Sequence, residues 1–278
     1  MEAIAAREDM DMISASSNVP VNLPNDLRRS AIDRWPTMHD LPSENPLESG
    51  LPDEFHGVQP QLLAETINLM GYGLNQIFYA FDLNLYYDPE HTGWYKRPDW
   101  FLVVGTDSLY RGRESRSSYV MWDELIPPTI VIEFLSPGTE SDDLGRFASK
   151  PPNAEPGKPP GKFVVYEQIL KVPNYIIYNE TTQQMRYFRL VNGRYRERTI
   201  TSDRIWIPEL KIGLGLWTGT YRHRVRQRWL RWCDIDGNWT LTETEQERSQ
   251  KEFEKAEKEK LLRYLRSIGV DPNNLGDF

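Results

Sequence analysis

"PPTIVIEFLSPGT" (127–139) decides the fold, because it sets a single carboxylate, Glu133, inside an otherwise apolar run. β-Branched and aromatic residues fill the segment, and Pro and Gly bound it. Apolar residues fall on both of its faces, so it reads as a buried central strand over 129–135. A second run, "KRPDWFLVVG" (96–105), reads as another strand with Asp99 at its head. An ionised carboxylate in such a strand is costly to bury unless a proton, a cation or hydrogen bonds compensate it. Two of them on neighbouring strands would make an oxygen-ligand site for a hard divalent cation such as Mg²⁺.

Upstream, "QPQLLAETINLM" (59–70) spaces Leu62, Leu63, Ile67 and Met70 as a short helix that Gly71 stops. "QIFYAFDLNLYYD" (76–88) alternates as a strand and turns through Asp88–Gly93 into the Asp99 run. "SSYVMWDEL" (117–125) is ambiguous. Downstream, 136–162 is a long stretch rich in Ser, Pro, Gly and charge, a composition that marks a functional or disordered loop. "KFVVYEQILK" (162–171) carries Phe163, Tyr166 and Leu170 at helical spacing, "NYIIYN" (174–179) is another buried strand, and Asn192-Gly193 centres a hairpin. Extended chain follows over 205–219. Arg222, Arg224, Arg226 and Arg228 then alternate with Tyr221, Val225 and Trp229, which as a strand gives one basic and one apolar side. Residues 242–269 form a helix that is charged nearly all round, with Leu261, Leu262, Leu265 and Ile268 as an apolar end.

The expected fold class is therefore α/β: a mixed β-sheet core flanked by helices, with a charged C-terminal helix. The expected division is a flexible arm over 1–50, one domain over 51–240 and a helical tail over 241–278. With 39% hydrophobic residues, nine Trp and fourteen Tyr, 278 residues can bury a sizeable core. A net charge of −8 argues against non-specific nucleic-acid binding as the main activity while leaving room for a local basic groove. Cys233 stands alone, which excludes an internal disulfide and fits a reducing compartment. His39, His56, His91 and His223 show no metal-ligand spacing. The polar, acidic N-terminus does not read as a secretory signal, and no apolar run approaches membrane-spanning length, so a cytoplasmic protein is expected.

The ordered elements "RPDWFLVV", "IVIEFLSPGT", "GKFVVYEQILKVPNY" and "YIIYN" resemble the Uma-two family of restriction endonucleases within the PD-(D/E)XK nuclease superfamily. The resemblance spans about residues 54–220. It implies a restriction-endonuclease-like fold acting on DNA, with Asp99 and Glu133 holding Mg²⁺ (or Mn²⁺) and the Phe134 carbonyl as a further ligand. The superfamily lysine commonly follows the second acid by two residues, where this chain has Leu135. The resemblance therefore assigns the role to Lys162, with Tyr166 on the same helix face to orient the amine. An acid from the first helix often completes such sites; Glu65 is the candidate and Glu54 its rival. Cutting both strands together would call for a homodimer, by analogy.

Plainer readings exist for each residue. Asp99 after a proline is a common turn acid, and Glu133 could pair with Lys162 or an arginine. Asp142 and Asp143 could reach the metal or belong to a solvated loop. The arginine series could line a DNA channel or a solvated strand face. The terminal helix could be solvated or self-associating. Two functions follow: a Mg²⁺-dependent endonuclease using Asp99, Glu133 and Lys162, or an inactive nuclease-like domain acting as a binding or assembly module.

Overall fold

Strand β6, Ile130–Phe134, is buried along its whole length, with all five residues inside. Around it the computed structural model describes residues 53–136, 138–152, 157–222 and 226–269, all within one compact unit that spans 48–278. The expected arm over 1–50, and Arg224 and Val225 of the arginine series, lie outside the described residues. The elements in chain order are α1 (Glu54–Thr66), β1 (Ile77–Ala80), β2 (Leu85–Tyr86), β3 (Tyr95–Lys96), β4 (Trp100–Val104), β5 (Tyr119–Val120), α2 (Met121–Glu124), β6, α3 (Glu140–Leu144) and α4 (Lys162–Val164). A π-helical turn, Val165–Ile169, continues α4. Then come β7 (Asn174–Asn179), β8 (Gln184–Val191), β9 (Arg194–Arg198), β10 (Arg204–Ile207), β11 (Ile212–Gly219), β12 (Gln227–Cys233) and α5 (Glu243–Ser267).

The main sheet runs β1-β4-β6-β7-β8-β9. Only β6 and β7 pair in parallel, so the chain between them must cross over, and α3, α4 and the π turn ride on that crossover. Alternation along the central strands divides the core in two. Trp100, Leu102, Ile130, Ile132, Phe134, Ile176 and Tyr178 face α1 and the meander β10-β11-β12. Phe101, Val103, Val131, Tyr175 and Ile177 face the crossover with Phe163, Val165 and Tyr166. By that period of two, Glu133 shares the crossover face with Val131. The mixed α/β sheet with flanking helices is thus the restriction-endonuclease-like arrangement the sequence predicts.

Several elements differ from expectation. The first helix does not start near 59: it enters at Asp53, whose carboxylate caps the His56 N–H at 2.9 Å, and it runs through Pro60 to Thr66. The strand expected over 76–88 is two strands in two sheets, broken where Asp82 takes a left-handed φ of 53°. β2 instead joins β3 and β5 in a small sheet. Of the described arginines in the series, Arg222 occupies a turn at φ 48° and Arg228 lies in β12, which begins at Gln227. Arg222 pairs with Glu65 and Arg228 with Asp203. In the expected hairpin, Asn192 and Gly193 both adopt positive φ, as a two-residue turn between twisted strands requires.

Candidate active site

Trp100 pairs with Ile132 across the antiparallel β4–β6 ladder, which brings Asp99 opposite Glu133. The two are tied reciprocally. The Asp99 N–H donates to Glu133 Oε2 at 3.3 Å, and the Phe134 N–H donates to Asp99 Oδ2 at 2.5 Å. Asp99 is partly exposed at the wall of a cleft of ≈ 290 Å³, whereas Glu133 sits behind it with no exposure.

The crossover delivers the cation. Lys162, the first residue of α4, places Nζ 2.8 Å from Glu133 Oε2 and 3.3 Å from Asp143 Oδ1. Its backbone N–H donates to Asp142 Oδ1 at 2.9 Å, which anchors the start of α4 to α3. Tyr166 donates its hydroxyl to Glu133 Oε1 at 2.8 Å, so it orients the carboxylate rather than the amine. Three of the five candidate residues, Glu133, Lys162 and Tyr166, are therefore in direct contact, and Asp99 joins them through the strand pair. Glu65 is not with them: it lies at the far end of α1, paired with Arg222.

Two more residues join the site: Asp143, which the sequence left between the metal and a solvated loop, and His56, which sequence reasoning did not place there. Asp143 is almost fully buried, and both of its carboxylate oxygens lack a hydrogen-bond partner, with Lys162 as its ion-pair neighbour. The solvated-loop reading therefore fails for Asp143. His56 comes from the first turn of α1. Its Nδ1 contacts Asp53 Oδ1 at 2.7 Å and its Nε2 contacts the Phe134 carbonyl at 3.3 Å. The sequence held one signal for it, an Asp three residues ahead of a His at a helix start, but placing the helix near 59 left that turn out.

The electrostatics follow from burial. Desolvation raises Glu133 to about 8, against the opposing pull of Lys162 and with the charge of Asp99 adding to the rise. The same burial, opposed by Lys162, raises Asp143 to about 7 and holds Asp99 above the usual carboxylate range. Burial alone would lower Lys162, yet Asp143, Glu133 and Asp99 together raise its ammonium well above the ordinary lysine value. Burial likewise works against charge on His56, but the Asp53 hydrogen bond and the field of Asp99 raise it to about 9. At neutral pH both ring nitrogens then carry protons and donate.

The donor set fits a hard cation. Among the described residues no three acids or histidines form a metal cage by themselves. Mg²⁺ needs less than that, since it commonly takes one or two carboxylates and keeps several waters. Asp99 and Glu133, the Phe134 carbonyl and the orphaned Asp143 oxygens supply oxygen of that kind.

Residues 12–221 match the model of the Uma2 family, described as "putative restriction endonuclease". The chain belongs to the Uma2 family. The match begins upstream of the described residues and takes in every side chain of the site. No curated protein sequence matches the chain. Among the described residues, no helix is long and apolar enough to cross a membrane.

Proposed function

We infer that this Uma2 protein is a metal-dependent DNA endonuclease whose site is Asp99, Glu133 and Lys162. One observation carries the reading: Lys162 Nζ lies 2.8 Å from Glu133 Oε2, and Asp99 faces that carboxylate from the next strand. A lysine and two acids from three separate stretches of chain thus converge beside one cleft. Asp99 and Glu133 would hold Mg²⁺, for which Mn²⁺ is the expected substitute, with Phe134 lining the same cleft and Asp143 buried behind it beside Lys162. Such an ion supplies positive charge to phosphoryl oxygens and acidifies a bound water. The Lys162 ammonium stabilises negative charge that develops on the phosphate and fixes Glu133. Tyr166 and the Asp53–His56 pair hold Glu133 and the Phe134 carbonyl in position. Two copies of the chain would cut two strands.

A plasmid-nicking assay with Mg²⁺, Mn²⁺ or EDTA tests this, comparing the wild type with Asp99→Ala, Glu133→Ala and Lys162→Ala. The expected result is metal-dependent cleavage that all three substitutions abolish. Cleavage that survives Lys162→Ala would move the lysine's role to another cation. One observation favours a second reading, a nuclease-like binding module: Lys162 closes on Glu133 and Asp143 together, so the protein's own cation already offsets the buried acids. A calorimetric Mg²⁺ titration separates the two, because the module needs no binding heat.

A further inference from the structure

Three aromatic rings run away from the cleft along the small sheet. Tyr95, on β3, lines the cleft beside Lys96, Arg97 and Lys162. Its ring lies 5.4 Å from that of Tyr86, its partner across the β2–β3 pair, and Tyr86 lies 6.3 Å from Trp122 on α2. Tyr95 is 43% exposed and Trp122 37% exposed. Large aromatic rings are costly to leave in water, and a row of them continuous with a polar cleft marks a surface that meets a partner.

The charge beside the row identifies the partner. Arg97 is half exposed and pairs with the carboxylate of Asp82 at 2.7 Å, itself two-thirds exposed. Such a surface pair is worth little, so the guanidinium can exchange it for a phosphate. Lys96 pairs loosely with Asp142, at 3.6 Å, on the same cleft wall. Cations that track a backbone beside rings that accept bases are what a single strand requires, because every base has a π-face whereas a paired duplex hides it.

We propose that Tyr95, Tyr86 and Trp122 form a stacking ledge that receives an unpaired nucleic-acid strand leading into the carboxylate–lysine site. The proposal rests on the nuclease reading and narrows it to substrates with unpaired bases next to the cut, such as flaps, gaps or single strands. A protein face would need apolar area without the flanking cations, and so it suits the surface less well.

Fluorescence anisotropy decides the matter, with labelled single-stranded, flapped and blunt duplex oligonucleotides, in EDTA and in Ca²⁺. The ledge predicts that single-stranded and flapped DNA bind more tightly than blunt duplex. Tyr95→Ala and Trp122→Ala should each weaken that binding about tenfold, the worth of one stacked base. Tyr95→Phe should keep it, since the ring face is retained. Equal affinity of wild type and ring variants for every DNA would overturn the ledge and leave the nuclease reading standing. No binding of any DNA by the folded wild type would overturn both. A concentration-dependent mass that falls in the ring variants, with DNA binding unchanged, would overturn the ledge in favour of self-association.

Discussion

Glu133 has no solvent exposure, and what makes it tolerable is a lysine on one oxygen and a tyrosine hydroxyl on the other. Breaking a buried pair from one side leaves an uncompensated charge, which costs about 3–5 kcal/mol. Lys162→Met should lose about that much by urea denaturation in EDTA, a large share of a typical domain's stability. Glu133 escapes part of the cost by holding a proton, because its folded pKa is raised above the ordinary 4.5 to about 8. A folded state that binds more protons than the unfolded one loses stability as pH rises. The wild type itself should therefore lose stability from pH 5 to pH 8, while the deficit of Lys162→Met grows only above about 7 to 8, where Asp143 and Glu133 ionise beside the lysine and stay protonated without it. If Asp99 and Glu133 hold Mg²⁺, adding the ion should also raise the melting temperature of Lys162→Met by more than that of the wild type. Tyr166→Phe removes a single donor to Glu133, and groups that orient metal ligands are worth about 10- to 100-fold in affinity or activity. It should lower cleavage by that order while the far-UV spectrum stays native. The acids at Asp99 and Glu133 were legible because an acid inside an apolar strand contradicts its surroundings. Asp143 was legible only as one of two open readings, because its burial is imposed by the crossover folding over the sheet and not by its neighbours in "ESDDLG".

At the level of elements, local chemistry decided what could be read. The strands at 130–134 and 174–179 and the hairpin at 184–198 follow from β-branched runs and an Asn-Gly turn, signals that need no tertiary context. The first helix was read late because Pro60 resembles a helix start, although the Asp53 cap lies seven residues earlier. That error of five residues, about one and a half turns, hid His56. The crossover helix was read as regular, yet after Val164 it widens into a π turn, in which the Leu170 N–H reaches back five residues to the Val165 carbonyl. Such turns often occur at functional sites. Val165, Tyr166 and Glu167 are buried consecutively there, which helical spacing alone does not anticipate. Burial by itself would raise Glu167. The two-pronged Arg146 guanidinium, at 2.8 and 2.9 Å, and the Tyr195 N–H outweigh it and hold the carboxyl below its ordinary 4.5. A depressed carboxyl stabilises the fold above the unfolded pKa, and this contribution fades as pH falls through the folded value. Glu167→Gln should therefore melt below the wild type at pH 7, and the gap should close as the pH is lowered through 4.5 and beyond. A gap that stays constant with pH would mean that the carboxylate is not what ties the π turn to β9.

Over the whole molecule, the meander β10-β11-β12 carries none of the site residues and yet braces the helix that bears His56. Gln59 makes the connection. Fully buried, it donates to the Leu230 carbonyl at 2.9 Å and accepts from the Leu230 N–H at 2.8 Å, so α1 completes the hydrogen bonding of β12 as a neighbouring strand would. Trp232 adds a bond from its indole N–H to the Leu63 carbonyl at 3.0 Å. On the opposite face of β12, buried Arg231 pairs with Glu245 and pins the first turn of α5, whose remaining length buries no residue. Nothing in the sequence marks the Gln59 clamp, because a glutamine on a helix reads as a solvated position and becomes a strand substitute only once the meander packs against it. Replacing it by leucine of similar bulk leaves two buried backbone groups unpaired, at about 1–3 kcal/mol each. Gln59→Leu should therefore lower the unfolding free energy in urea by about 2–6 kcal/mol, and the Leu230 amide should exchange its hydrogen faster than those of β6 and β7. If the Leu230 amide keeps its wild-type protection, the meander satisfies itself and α1 is held by apolar packing alone. If protection is lost and cleavage falls with it, the brace reaches the site through the one helix that touches both.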